Sequence, residues 1–361
     1  MKAQIAFLPG DGVGPEVLAE ARRVLETIGQ RFNHTFEMIE GDIGGIAIDR
    51  YDSPLPPPTV DLVKKSAAVL LGAVGDKKYD SLPAAKKPER GLLDLRTLLG
   101  NYANLRPVYV FDPLANSSTV RPEVVRGVDI MFVRELLGGI YFGTPRMREG
   151  NRAVDTEVYT VDEVRRVSRV AFELARTRRK HVTSVDKANV LETSILWRQT
   201  VAEVAKEYPD VKLENLYVDN CAMQLILRPK QFDVIVTNNL FGDILSDEGG
   251  VLAGSLGMLP SGSIGGPAGF YEPVHGSAPD IAGTGKANPI GAIGSVAMML
   301  EHSFKLPDLA ARVQRAIAAA IDQGLRTADI YSPGTTLVTT KQMGDAVCKL
   351  IETSDASKNA V

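Results

Sequence analysis

Asp243 and Asp247 stand four residues apart in the segment Asn238-Asn239-Leu240-Phe241-Gly242-Asp243-Ile244-Leu245-Ser246-Asp247-Glu248-Gly249-Gly250, which follows a short apolar run at 232–236. On a helix that spacing puts both carboxylates on one face. They repel one another there unless something positive lies between them, and a hard divalent cation with oxygen ligands is one solution. A helix start also favours acidic residues through its dipole. The pair alone leaves both readings open.

Other polar groups stand where further expected strands end. Arg134 ends the run 128–133, Lys187 follows 181–185, and Asp219 follows 216–218. In open α/β sheets ligands collect beyond the carboxyl ends of the strands. Three aspartates, a lysine and an arginine are therefore expected to converge on one crevice. Three carboxylates suit Mg²⁺ or Mn²⁺. A lysine beside a cation loses its proton more readily and can act as a base. Arg96, Arg106 and Arg134 have the planar fork that matches a carboxylate, although each taken singly also fits a surface ion pair. Tyr141, between glycines and aromatics, suits a packed arm or a proton donor. His275 lies in a Gly/Pro/Ser loop rather than on an apolar face, which favours contact with a ligand.

The elements that hold these residues follow from apolar periodicity. Residues 4–8 form a strand that runs into Pro9-Gly10-Asp11-Gly12-Val13-Gly14-Pro15 and then a helix with Val17, Leu18, Ala21, Val24, Leu25 and Ile28 on its apolar face. The glycines do not make a dinucleotide fingerprint, because Pro15 stands where the third glycine belongs. A glycine turn between strand and helix fits better. Residues 53–58 are a proline-rich connector with neither helix nor strand, 67–74 a fully apolar strand, 75–88 a polar Lys-rich loop, and 89–96 the start of a helix. Residues 102–107 are extended, 138–143 are turn-rich with β character, and 146–156 lack a core pattern and suit a protruding arm. Thr160 to Glu163 fits a capping box. Helices are expected at 191–207, 290–300, 308–323 and 341–351, and a frayed tail at 353–361. Strands alternating with helices predict an α/β fold, a mostly parallel sheet sandwiched by helices.

Composition narrows the function. The chain has 361 residues, 44% hydrophobic and 24% charged, with a formal net charge of −3, which is ordinary for a soluble globular protein of about two domains. Charges of both signs are interspersed, so neither nucleic acid nor a membrane surface is an expected partner. Cys221 and Cys348 make neither a disulfide framework nor a metal spacing. No signal peptide is visible, and a cytoplasmic location is the default.

The motifs now quoted resemble a known family along nearly the whole chain. Gly10-Asp11-Gly12-Val13-Gly14-Pro15-Glu16, Ser184-Val185-Asp186-Lys187-Ala188-Asn189-Val190-Leu191, the segment Asn238 to Asp247, His275-Gly276-Ser277-Ala278-Pro279-Asp280-Ile281-Ala282-Gly283 and Ala287-Asn288-Pro289 resemble those of the 3-isopropylmalate dehydrogenases. These belong to the β-decarboxylating dehydrogenases, with the isocitrate, homoisocitrate, tartrate and D-malate enzymes.

The resemblance implies a two-domain fold of that type, not a Rossmann fold. Residues 1–101 and 255–361 would bind cofactor, and 102–254 would bind substrate and metal and dimerise, with an arm near 141–158. Asp219, Asp243 and Asp247 would bind Mg²⁺ or Mn²⁺. Lys187 and Tyr141 would move protons, with Asp219 beside them. Arg96, Arg106 and Arg134 would hold the malate carboxylates, and Leu92, Leu93, Glu89, Asn189 and Val190 would complete the substrate site. Glu272, His275, Gly276, Ser277, Ala278, Asp280 and Asn288 would hold NAD. The family is homodimeric, with Lys187 and Asp219 reaching the site from the other subunit.

Substrate and cofactor can be argued further. The isocitrate relatives hold a third carboxylate with a Ser and an Asn, where this chain has Arg90 and Leu92. Leu92 and Leu93 would desolvate a carboxylate without pairing it, so a branched alkyl group fits and 3-isopropylmalate oxidation, a step of leucine biosynthesis, is expected. Asp280 accepts from ribose hydroxyls and repels a 2′-phosphate, which favours NAD over NADP. The alternative is a D-malate/tartrate or homoisocitrate enzyme, and Asn288-Pro289-Ile290-Gly291 with Glu301-His302 resembles the tartrate/D-malate branch. Phosphoryl transfer lacks its glycine loop, since Asp280 stands where the first glycine should be. One departure is Gly75-Asp76-Lys77-Lys78, where the family has a Gly-Gly-Pro-type turn near the nicotinamide side.

Overall fold

The structure, a computed structural model, describes residues 1–353. The tail expected at 353–361 lies outside the described residues from 354 onward. The chain separates into two compact units, one from Met1–Leu99, Ser255–Gly262 and the segment from Pro267 onward, the other from Gly100–Gly254 with Ser263–Gly266. In chain order the strands are β1 (Lys2–Gly10), β2 (Thr35–Glu40), β3 (Ala68–Ala73), β4 (Ala103–Tyr109), β5 (Asp129–Glu135), β6 (Met147–Glu149), β7 (Arg152–Val154), β8 (His181–Asp186), β9 (Lys212–Tyr217), β10 (Val234–Thr237), β11 (Pro260–Ile264) and β12 (Gly269–Pro273), followed by a two-residue pair, β13 (Leu325–Arg326) and β14 (Thr336–Leu337).

In the first unit the order is β2-β1-β3-β12, all parallel. Every residue of β3 is buried, as a parallel strand covered on both faces requires. Leu8, Val69, Leu71, Leu95, Leu99 and Phe270 share one core cluster there. The helix Gly14–Phe32 starts with a proline in its first turn and buries Val17, Leu18, Ala21, Val24, Leu25 and Ile28. The helix Ile290–His302 buries every residue from Ile290 to Leu300, so its uniform apolarity reflects burial on all sides.

Four elements escape the periodicity. β2 is half-exposed and polar, as an edge strand can be. β11 and β12 hide in a glycine-rich stretch, because a Cβ at Gly262 would come within 2.9 Å of the Tyr271 ring. The glycines there make room for a buried tyrosine rather than a loop. The connector expected at 53–58 overlaps the helix Pro57–Lys65, whose first turn takes the prolines.

In the second unit the order is β4-β5-β10-β8-β9, with β4 antiparallel to β5 and the other pairs parallel. The turn-rich segment forms a short 3-10 turn, Gly139–Tyr141, rather than a strand. β6 and β7 pair as an exposed hairpin. The Thr160 hydroxyl accepts from the Glu163 N–H, and the Thr160 N–H donates to the Glu163 carboxylate at 2.8 Å. This capping box satisfies two end groups and stabilises the helix Val161–Arg176 by about 1 kcal/mol.

Glu135 ends β5 fully buried. Its carboxylate accepts from the N–H groups of Leu137 and Gly138 at 3.0 and 2.8 Å. Burial outweighs these bonds and pushes the carboxyl from 4.5 up to about 7. Between those values the folded chain holds a proton that the unfolded chain has released. Stability from this group is therefore greatest below the unfolded value and is lost as pH rises through about 7. The shift corresponds to roughly 3 kcal/mol. Denaturant midpoints of the wild type and of Glu135→Gln, measured from pH 5 to 8, should diverge, with the variant the flatter. Parallel curves would show that Glu135 ionises normally.

Candidate active site

The carboxyl ends of β5, β10, β8 and β9 lie along one edge of the second unit. Thr237 pairs with Arg134 on one side and Val185 on the other, and Asp186 pairs with Tyr217. Arg134, Asn238, Lys187 and Asp219 therefore leave the sheet at the same edge. Asp219 does not end a strand as expected. β9 stops at Tyr217, and Asp219 stands in the first turn of the helix Val218–Leu227.

The helix Asn239–Leu252 begins directly after β10. The Asn238 side chain caps it, accepting from the Phe241 N–H at 2.8 Å. Gly242 has a steric reason to be glycine, since a Cβ there would come within 2.6 Å of the Arg134 Cγ. Arg134 can thus lie across the helix. Its Nε and Nη2 donate to the Asn239 Oδ1 at 3.0 and 2.6 Å, and its Nη1 pairs with Asp243. Asn239 is held in turn by the carbonyls of Leu136 and Gly138. Arg106 comes from β4, with its Nε on the Asn104 Oδ1 at 2.9 Å. Its Nη1 donates to the Ser246 Oγ at 2.8 Å and to the Asp247 Oδ1 at 3.1 Å, and its Nη2 lies 3.5 Å from Asp243. The Tyr141 hydroxyl donates to the Asp243 Oδ2 at 2.9 Å.

Two guanidinium groups and a phenol thus face two carboxylates. Both arginines are nearly buried, Arg134 at 1% and Arg106 at 7% exposure, so these pairs are not the solvated surface pairs allowed by the sequence. Burial chiefly raises the Asp247 carboxyl, and Arg106 counters it. Burial also raises the Tyr141 phenol, with Asp243 adding to the effect. Tyr141 therefore keeps its proton near neutral pH and is a donor.

Lys187 and Asp219 form a separate pair, with the ammonium 2.5 Å from the carboxylate. The Lys187 N–H donates to the Ser194 Oγ, and hydrogen bonding from Lys187 lowers the Asp219 carboxyl. Asn189 and Val190 follow in a tight turn, with Val190 at 67% exposure. Among the described residues no group of three His, Cys, Asp or Glu side chains is placed to hold a metal. The convergence of Asp219 with Asp243 and Asp247 expected from strand ends is not realised inside one chain.

The remaining residues lie in the first unit. Arg96 donates to the Glu272 Oε1 at 2.9 Å, and its Nε has no hydrogen-bond partner among the described residues. Leu92 packs against the core cluster, Leu93 is half-buried, and Glu89 is exposed. The His275 Nδ1 donates to the Gly276 carbonyl at 2.9 Å, and burial lowers the imidazole pKa. The ring is thus neutral, with a buried Nε2 acceptor that has no partner among the described residues. A ligand hydroxyl or amino group fits that atom. Asn288 is held by Asp329 at 3.0 Å, and Asp280 is exposed. In the departing loop, Asp76 accepts from the Lys78 N–H and Lys78 pairs with Asp49 at 2.7 Å. A cavity of about 870 Å³, lined by Gly12, Asp42, Asp49, Tyr51, Asp76 and Lys78 among others, contains none of the expected site residues.

Asn239, Asn104 and Ser246 escaped the sequence reading. The paired asparagines at a strand end are the only signal for Asn239, and β4 pairs Asn104 directly opposite Arg134. The family model described as isocitrate/isopropylmalate dehydrogenase matches residues 4–347. The chain belongs to the isocitrate/isopropylmalate dehydrogenase family. Membership makes it a decarboxylating dehydrogenase. Similar relatives in this family include the 3-isopropylmalate dehydrogenases of Halalkalibacterium halodurans, 56% identical with 98% of this chain and 99% of that one covered, and of Aquifex aeolicus, 56% identical with 97% and 98% covered. Among solved structures, an isocitrate dehydrogenase from Methylococcus capsulatus is similar with a TM-score of 0.86 at 36% identity, covering 97% and 99% of the two chains. A β-decarboxylating dehydrogenase from Thermococcus kodakarensis gives a TM-score of 0.78 at 37% identity, covering 97% and 96%. The family fold thus serves more than one substrate, and side chains must choose among them.

Proposed function

We propose that the chain oxidises 3-isopropylmalate to 4-methyl-2-oxopentanoate and CO₂ with NAD⁺, as a step of leucine biosynthesis. The observation that carries this is a site of two nearly buried arginines facing two carboxylates and a tyrosine hydroxyl, in a chain 56% identical to 3-isopropylmalate dehydrogenases over almost its full length. Arg106 and Arg134, with Arg96, hold the two substrate carboxylates. Leu92 and Leu93 face the isopropyl group.

Asp243 and Asp247 offer only oxygen donors, which suits Mg²⁺ or Mn²⁺, and the third carboxylate, Asp219, is supplied by a second copy of the chain. Support for that copy comes from exposed apolar residues on the two helices that carry these aspartates: Met223 and Leu227 on one, Ile244 and Val251 on the other. When bound, NAD⁺ would supply a hydride acceptor for C2, and the cation would supply Lewis-acid polarisation of the C2 hydroxyl and stabilisation of the charge that develops on decarboxylation. Lys187 takes the hydroxyl proton. Tyr141, holding its own proton, delivers one to C3. His275, Gly276, Ser277, Ala278, Asp280 and Asn288, with Glu272, hold NAD, and Asp280 disfavours a 2′-phosphate. Among the described residues no helix is long and apolar enough to cross a membrane.

NADH formation should be followed with 3-isopropylmalate, D-malate, tartrate and homoisocitrate, with and without EDTA. A marked preference for 3-isopropylmalate and loss of activity with EDTA are expected. Equal rates on unbranched malate would defeat the assignment.

A further inference from the structure

The motif Gly10-Asp11-Gly12-Val13-Gly14-Pro15-Glu16 failed as a dinucleotide fingerprint and has no part in the chemistry above. In the structure it is a hub for three loops. The Gly10 and Gly12 φ angles are +70° and +58°, and a Cβ on them would lie 1.9 Å from the Ala73 and Ser277 carbonyl oxygens respectively. The Val13 N–H donates to the same Ser277 oxygen at 2.8 Å. The buried Asp11 carboxylate accepts from the N–H groups of Gly45, Ile46 and Gly75 at 2.7, 3.0 and 2.8 Å.

Glu16 is the other carboxylate of the motif. It stands in the first turn of the helix Gly14–Phe32 and accepts from the N–H of Gly283 and, at 3.1 Å, from that of Gly285. Both glycines have positive φ, +73° and +67°, which turns their N–H groups toward one carboxylate. The segment 277–287 is otherwise fastened at its ends. Ser277 is tied to Val13, while Thr340 donates to the Gly285 and Ala287 carbonyls at 2.9 and 2.6 Å. Between these points Pro279, Asp280, Gly283 and Thr284 are exposed, so no core packing sets their shape. The only charged side chain bonded to this stretch among the described residues is Glu16.

We propose that Glu16 is a positioning residue for NAD, holding the 277–285 loop in its binding shape before the cofactor arrives. This rests on the assignment of that loop to NAD. A preformed loop binds without the cost of ordering, so loss of the clamp appears as weaker NAD binding and not as slower chemistry.

The test compares Glu16→Ala and Glu16→Gln with the wild type. Readouts are the dissociation constant of NADH by fluorescence titration, KM for NAD⁺ and for 3-isopropylmalate, the thermal midpoint, and hydrogen exchange of the 278–286 amides without cofactor. Glu16→Ala should weaken NADH binding and raise KM for NAD⁺ roughly tenfold, with faster exchange in the loop. KM for 3-isopropylmalate and kcat at saturating NAD⁺ should stay close to wild type. Glu16→Gln keeps one acceptor but sets an amide N–H against the second donor, so it should fall between the two. Unchanged NADH affinity, or a lower thermal midpoint with kcat reduced at every NAD⁺ concentration, would overturn the proposal. Asp280→Ala separates the two possible failures. If it leaves NADH binding intact, the loop is not the NAD site, and the proposal falls with that assignment. If it weakens binding while both Glu16 variants do not, the clamp alone is refuted.

Discussion

Lys187→Ala is expected to lose turnover on the order of 10²–10⁴-fold, the usual loss for a positioned acid–base group, while still binding Mn²⁺. Lys187 follows β8, with its N–H tied to Ser194 and its ammonium on Asp219. The substitution removes the proposed base without touching Asp243, Asp247 or the two arginines that face them. Steady-state rates together with calorimetric Mn²⁺ titration give the two readings. A small primary amine in the buffer should restore part of the rate, because it can fill the space of the deleted side chain. Normal turnover by the variant would remove Lys187 from the mechanism. Lost Mn²⁺ binding would instead make Lys187 a support for the metal site.

Mixing two inactive variants should restore activity. In the proposed homodimer, Lys187→Ala and Asp243→Asn should each disable both sites. If Lys187 and Asp219 serve the site built on the other copy's Asp243 and Asp247, a mixed dimer has one site with both groups intact. Random pairing of equal amounts then returns roughly a quarter of wild-type activity. The expectation rests on the absence, among the described residues, of a three-ligand group inside one chain. No recovery after verified subunit exchange would mean that each site is completed within its own subunit. Asp243→Asn alone also leaves Arg134 and Tyr141 facing a weaker acceptor, so its own loss of rate combines metal and substrate effects.

Much of this arrangement was legible because the site residues sit at strand ends, and strands buried on both faces announce themselves as apolar runs. β3, β5 and β10 were visible in that way, and Arg134 and Asn238 follow from them directly, while β8, His181 to Asp186, is a more polar strand that leads to Lys187. β2 was not, because an edge strand keeps polar residues. β11 and β12 were not, because glycines chosen to fit Tyr271 resemble loop glycines. Asp219 was placed one element early, since Leu216, Tyr217 and Val218 read as a strand although the helix starts at Val218. The pairing partners were beyond reach for a different reason. Arg106 is 140 residues from Ser246 and Glu16 is 267 from Gly283, and nothing local encodes contacts of that range.

The interleaved chain path imposes an order on synthesis. Residues 100–254 make up nearly all of one unit, whereas the other needs both ends of the chain. β3 is complete at Ala73, but its second neighbour, β12, begins only at Gly269, and the buried helix Ile290–His302 comes later still. Translation of the intervening stretch takes on the order of ten seconds or more. For that time a wholly apolar strand emerges from the ribosome with one edge unpaired and one face uncovered, the condition that invites aggregation. The inner unit can mature first. The nascent amino-terminal third must be sheltered until the last helices leave the exit tunnel.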